Sequence, residues 1–302
     1  MNYKSIFNLL GILLVIFSLS FIPPLTLSVF YDEPLSGIFL YSFLFLITLG
    51  CLMWFASRQK NLPLNISDGF IITTMFWVVL ACAGSIPFYF FGLNANDAIF
   101  ESVSGITTTG ATVIVGLDEL PKSLLLYRQL LQWIGGMGLI ILAVAVMPTL
   151  GIGGGQLYKM ELPGSHGNQK LTPKITDSAK ALWKIYFGLT IICALLYLLS
   201  GMNLFDAIAH SLSTVAGGGF STHDDSMGFF DSGLIETVCI IFMLLSAASF
   251  AVHYAAIFGG KPLKYFYDSE FRFFLSVVIL IAIVILIFHT VNDSYAEFLL
   301  AL

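Results

Sequence analysis

Two stretches carry residues whose types and spacing could do chemistry: Ile106-Thr107-Thr108-Thr109-Gly110 and Val215-Ala216-Gly217-Gly218-Gly219. Both are poor in bulky side chains, and glycine takes backbone angles that other residues avoid. Successive carbonyl oxygens in such a segment can point the same way and replace an ion's hydration shell; threonine hydroxyls can add further oxygens. The chemistry is coordination of a cation by backbone oxygen. Thr107, Thr108, Thr109, Gly110, Ala216, Gly217, Gly218 and Gly219 form a candidate selectivity filter.

The elements that must position these segments are duplicated. GLNANDAIFESVSGITTTG, from Gly92, aligns without a gap on GMNLFDAIAHSLSTVAGGG, from Gly201, at an offset of 109. Gly92, Asn94, Asp97, Ala98, Ile99, Ser102, Ser104 and Gly110 recur as Gly201, Asn203, Asp206, Ala207, Ile208, Ser211, Ser213 and Gly219. Each unit reads as helix, short re-entrant helix, polar return strand, helix. Functional sites commonly lie where such membrane repeats meet. Asp97 and Asp206 are expected as N-caps of the short helices, complementing their positive ends. Glu101 and His210 occupy equivalent places inside these helices and are expected to bond the filter backbone from behind.

Around these segments the chain is apolar. Of 302 residues, 58% are hydrophobic and 10% charged, against about 25% charged in soluble domains. Apolar spans fall at 6–30, 36–56, 69–92, 124–148, 181–200, 233–258 and 273–290. These lengths suit a hydrocarbon core about 30 Å thick. The chain reads as an all-α polytopic membrane protein, with its first span bent at Pro23-Pro24 and too long for a signal peptide. A cytoplasmic N-terminus puts Lys4, Arg58, Lys60, Lys159, Lys170, Lys174, Lys180, Lys184, Lys261, Lys264 and Arg272 on the cytoplasmic side. Only Lys122 and Arg128 remain outside, a bias that requires both semi-polar stretches to enter and leave on one face. That face also collects Asp32, Glu33, Asp118, Glu119, Asp224, Asp225 and Asp231, a rim that would concentrate cations. Arg128 is expected to pair with Asp118 or Glu119, and Gly135-Gly136-x-Gly138 to mark close helix packing. Cys51, Cys82, Cys193 and Cys239 lie in apolar runs without metal-ligand spacing.

FESVSGITTTGAT, RQLLQWIGGMGLIILAVAVMPTLGIGG and DAIAHSLSTVAGGGFSTHD resemble the TrkH-type subunits of the Trk/Ktr/HKT cation transporter superfamily, and the resemblance covers essentially the whole chain. It implies potassium uptake across a bacterial inner membrane, channel-like or by symport, with no enzymatic activity and no resident cofactor. It also implies a homodimer regulated by a cytosolic TrkA-type nucleotide-binding partner, with the lipid bilayer as surroundings and no nucleic acid. The filter glycines by motif are Gly110 and Gly219, and carbonyls of Thr108, Thr109 and Gly218 are the candidate potassium ligands.

The family pore has four helix–loop–helix repeats of potassium-channel type, whereas this chain reads as two complete repeats plus the first helix of a third. The expected organisation is 1–60 an N-terminal helix pair, 68–150 the first pore repeat, 151–179 a cytoplasmic loop, 180–260 the second pore repeat, and 261–302 the start of the third. A truncated form of a longer protein is the expectation. A non-conducting fragment or an assembly or regulatory subunit is the alternative. An intramembrane hydrolase would draw on Ser104 or Ser213 with His210 or His253, without any G-x-S-x-G turn. His223 with Asp224 and Asp225 is a poor metal set. GIGGGQ at 151–156 lacks the spacing of a phosphate loop, and Lys159, Lys170 and Lys174 are candidates for partner or headgroup contact.

Overall fold

The computed structural model describes residues 3–58, 66–146, 175–261 and 263–291. The loop candidates between 151 and 174 lie outside the described residues. Helix α1 (Tyr3–Ser18) passes through a 3-10 turn (Leu19–Phe21) into α2 (Ile22–Phe30). The distortion thus precedes Pro23 and Pro24, because prolines without N–H groups leave the carbonyls of the preceding turn without helical partners. Helix α3 (Ser36–Ala56) returns against α1. Gly11 and Gly50 make that approach close, since a Cβ on Gly11 would lie 2.8 Å from the Gly50 carbonyl oxygen.

The first repeat comprises α4 (Ile66–Phe91), the short α5 (Ala95–Ile106), an extended return and α6 (Lys122–Val146). The second comprises α7 (Ile175–Leu199), the short α8 (Leu204–Ala216), a return with a 3-10 turn, and α9 (Gly233–Ser246). Helices α5 and α8 have 12 and 13 residues, about 18–20 Å at 1.5 Å per residue, too short to cross the bilayer. After α9 come α10 (Phe250–Ile257), α11 (Lys264–Tyr267) and α12 (Ser269–Val291). Among the described residues, five helical stretches are long and apolar enough to cross a membrane: Tyr3–Phe30, Ser36–Ala56, Ser67–Phe91, Ala181–Leu199 and Ser269–Phe288. The chain is an all-α polytopic membrane protein built from re-entrant repeats.

The span expected at 233–258 is not one helix. It breaks after Ser246, and Ser249 takes an extended conformation (φ −62°, ψ 143°). Ser246-Ala247-Ala248-Ser249 offers little apolar surface to hold a continuous helix, and serine competes for backbone bonds. His253 repairs the break: its Nε2 lies 3.0 Å from the Leu245 carbonyl and its Nδ1 2.7 Å from the Tyr265 hydroxyl.

Packing centres on α6. Tyr127 is fully buried among Phe21, Phe39 and Phe88, ring centroids 5.3–5.6 Å away, and donates to the Gly84 carbonyl at 2.8 Å. This one side chain joins the N-terminal pair to the first repeat. Across α6, Gly135 meets the end of α5 and Gly136 the end of α8. A Cβ on Gly135 would fall 2.0 Å from the Ile106 oxygen, and one on Gly136 would fall 3.2 Å from Ala216 Cα. Gly135 and Gly136 thus pack α6 against the C-termini of both short helices, while Gly138 faces Phe76 and Trp77 of α4.

Candidate functional site

The two short helices start alike. Asn94 and Asn203 are the N-caps (φ −66° and −67°, ψ 162° and 163°), their Oδ1 accepting from the Asp97 and Asp206 N–H groups at 3.0 and 2.9 Å. Each Asn Nδ2 donates back to the aspartate Oδ2 at 2.6 Å. Asp97 and Asp206 are therefore third helical residues, not the N-caps expected from sequence. The side chains close a reciprocal box with the carboxylate at the positive helix end. Both asparagines were among the repeated residues, so the signal was present.

The helices end alike too. Thr109 N–H donates to the Ser104 carbonyl and Gly218 N–H to the Ser213 carbonyl, both at 2.9 Å, with every residue displaced by 109 positions. Positive φ then falls at alternate positions: Thr108 (55°) and Gly110 (77°) in the first segment, Gly217 (68°) and Gly219 (85°) in the second. Thr109 and Gly218 keep negative φ. Alternating the backbone hand turns neighbouring peptide planes so that carbonyls no longer point to opposite sides as in a strand. Left-handed geometry was expected of glycine; Thr108 also adopts it, at a cost of about 1–3 kcal/mol that surrounding structure must hold. The Thr107 hydroxyl contributes by bonding the Val103 carbonyl at 2.7 Å and the Thr109 hydroxyl at 2.7 Å.

The segments lie in direct backbone contact. A Cβ on Gly110 would sit 1.9 Å from the Gly218 carbonyl oxygen. A Cβ on Gly218 would strike the Gln132 amide at 2.4 Å, and Gln132 Oε1 accepts from the Phe220 N–H at 3.0 Å.

Behind the segments, one buried network serves both repeats. Glu101 accepts from Arg128 Nε at 2.7 Å, from the Thr112 hydroxyl at 2.9 and 3.0 Å, and from the Val113 N–H at 3.3 Å. Arg128 Nη1 donates across to the Ser221 carbonyl at 3.0 Å, Nη2 donates to the Thr112 hydroxyl at 3.1 Å, and the guanidinium lies 4.3 Å from the Phe220 ring centroid. Both members of the ion pair are fully buried. Arg128 thus pairs with Glu101, not with Asp118 or Glu119 as expected. An arginine fork so placed satisfies a carboxylate and a foreign loop together.

In the second repeat His210 stands where Glu101 stands in the first. Its Nδ1 is 3.0 Å from the Asp206 carbonyl and its Nε2 3.0 Å from the Ser221 hydroxyl. A carbonyl can only accept, so the network assigns the proton to Nδ1 and the serine as donor to Nε2. Thr112 and Ser221, again 109 apart, play the same part: each hydroxyl oxygen accepts from the N–H two residues on, Ile114 or His223. Sequence reading stopped at Gly110 and Gly219 and missed this pair, although the offset continues through it. The hydrolase dyads do not form: Ser213 donates to the His210 carbonyl, and both nitrogens of His253 are engaged elsewhere.

Three of the rim acids, Glu33, Asp118 and Asp224, accept from backbone N–H groups. Glu33 accepts from the Lys122 and Ser123 N–H groups at 2.8 and 3.1 Å, capping α6. Asp224 accepts from Gly116 and Leu117 at 3.0 and 3.1 Å, tying the second return to the first. Asp118 pairs with His223, whose bond holds this carboxyl below its ordinary range. These contacts gather the α2–α3 turn and both returns at one end of the molecule. Among the described residues, no group of three or more His, Cys, Asp and Glu could hold a metal ion.

The TrkH family model, described as a cation transport protein, matches residues 36–300. A Trk system potassium uptake protein TrkH from Vibrio parahaemolyticus is 48% identical over 98% of this chain and 62% of its own length. The Escherichia coli K12 TrkH is 43% identical over 97% of this chain and 62% of its own, and the TrkG of the same strain 43% over 94% and 59%. The crystal structure of the potassium transporter TrkH from Vibrio parahaemolyticus superposes with a TM-score of 0.86 at 45% identity, covering 100% of this chain and 62% of that one. The chain thus spans about three fifths of the length of the relatives it matches.

Proposed function

The chain belongs to the TrkH family of cation transport proteins, and from that premise we propose that it forms pore structure for potassium uptake across a bacterial inner membrane. One observation carries the reading: two segments in backbone contact, each with left-handed geometry at alternate positions after a short helix. In this reading the carbonyls of Thr108, Thr109 and Gly218 face the ion, and Thr107, Gly110, Ala216, Gly217 and Gly219 complete this part of the filter. Asp97, Glu101, Asp206 and His210 hold the re-entrant helices. Their C-termini, partially negative, favour a cation at mid-membrane. Potassium is cargo, and no resident cofactor enters.

The remaining assignments rest on the family and on charge. The N-terminus is cytoplasmic, because that choice places eleven of the thirteen Lys and Arg on the cytoplasmic side. Residues 1–60 form the N-terminal pair, 68–150 and 180–260 the pore repeats, 151–179 a cytoplasmic loop and 261–302 the start of a third repeat. The working assembly is a homodimer with a TrkA-type nucleotide-binding subunit on its cytosolic face.

Rubidium-tracer uptake in cells lacking potassium uptake tests the function. Two forms are compared: this chain alone, and this chain continued by the part of the Vibrio parahaemolyticus relative that it does not match. The continued form is expected to restore uptake. If both forms reach the membrane and neither carries rubidium, the reading fails.

A further inference from the structure

His223 lies at the outer end of the second return, its side chain 15% exposed, with a carboxylate at each nitrogen. Nδ1 faces Asp118 Oδ1 of the first return. Nε2 is 3.2 Å from Asp206 Oδ2 at the head of the second short helix. The ring stacks on Phe229 with centroids 3.5 Å apart, and Phe230 stands edge-on at 5.5 Å. A neutral imidazole has one N–H, so one carboxylate would face a lone pair; an imidazolium donates to both.

We propose that His223 is a positioning residue for the filter: protonated, it clasps the first return to the second short helix, and deprotonated it releases one side. This deepens the filter reading and rests on it for its effect on transport. The charged groups around the ring support the assignment. His210, 6.4 Å away in near-parallel stack, spends its nitrogens on the Asp206 carbonyl and Ser221. Asp224 turns its carboxylate to the Gly116 and Leu117 N–H groups, and neither Glu119 nor Asp225 pairs with the imidazole. The clasp therefore closes two carboxylates with one proton. Closed, the clasp ties the Asp118 return to the Asp206 helix head; open, one of those two contacts is lost.

The test uses the transporting form, with selectivity for rubidium over sodium measured at external pH 5.5 to 8.5, alongside thermal unfolding of the purified protein. Wild type is expected to lose selectivity by roughly fivefold across the range, the scale of one partly exposed charge pair, and to melt at lower temperature at the high end. His223→Gln and Asp118→Asn should each flatten both profiles, and Asp225→Asn should flatten neither. A wild-type profile retained in His223→Gln, or no pH dependence in wild type, overturns the proposal. A melting profile that flattens in His223→Gln while no variant transports rubidium supports the clasp and sinks the uptake reading instead.

Discussion

Gly110→Ser is expected to abolish selective rubidium uptake, by about a hundredfold, the scale on which misplacement by 1 Å acts in other preorganised sites. Two effects combine. The left-handed backbone (φ 77°) penalises any Cβ, and that Cβ would lie 1.9 Å from the Gly218 carbonyl oxygen. Real Cβ atoms do not approach so closely, so the Gly218 peptide must move, and its oxygen is a proposed ligand. Gly219 is also left-handed (φ 85°), but nothing lies within 4 Å of a Cβ built there. Gly219→Ser should incur only the backbone term, about 1–2 kcal/mol, and so cost roughly tenfold. Equal loss in the two variants would show that contact between the segments is not what matters.

Arg128→Met should destabilise the protein by about 3–5 kcal/mol, because it strands the Glu101 carboxylate without its counter-charge in a buried site. The damage reaches both repeats, since the same guanidinium donates to the Ser221 carbonyl. Glu101→Met should cost as much for the mirrored reason. Combining the two substitutions should recover a good part of the loss, as apolar replacements of buried ion pairs commonly do. Lys122 is the contrast: its ammonium lies 4.4 Å from the Tyr31 ring centroid, and Lys122→Ala should cost about 1 kcal/mol or less. Thermal unfolding of the purified variants separates these outcomes, and strict additivity of the Arg128 and Glu101 effects would contradict the pairing.

The repeat architecture was legible because it rests on local pattern. Span length, the 109-residue offset and the side-chain-poor returns all survive in a linear reading. What was not legible depends on contacts between repeats. Arg128 stands ten residues from Asp118 and twenty-seven from Glu101 in the chain, so proximity favoured the wrong partner. Burial reverses the choice, because a desolvated guanidinium needs a desolvated carboxylate. Capping failed more narrowly: aspartate and asparagine are equally good N-caps, and charge at the helix end favoured the wrong one of the pair. The left-handed angle of Thr108 was not legible because it follows from the register this residue shares with Gly217, not from its own preference. The outer acids looked like a free rim, yet Glu33, Asp118 and Asp224 are engaged with backbone N–H groups and His223.

The central claim is that backbone oxygens of the paired returns hold the transported ion. Anomalous diffraction from rubidium-soaked crystals of the transporting form tests it most directly. The account predicts a rubidium peak bounded by the carbonyl oxygens of Thr108, Thr109 and Gly218, displaced or lost in Gly110→Ser. Rubidium bound only among the outer carboxylates, with none against those carbonyls, would contradict it.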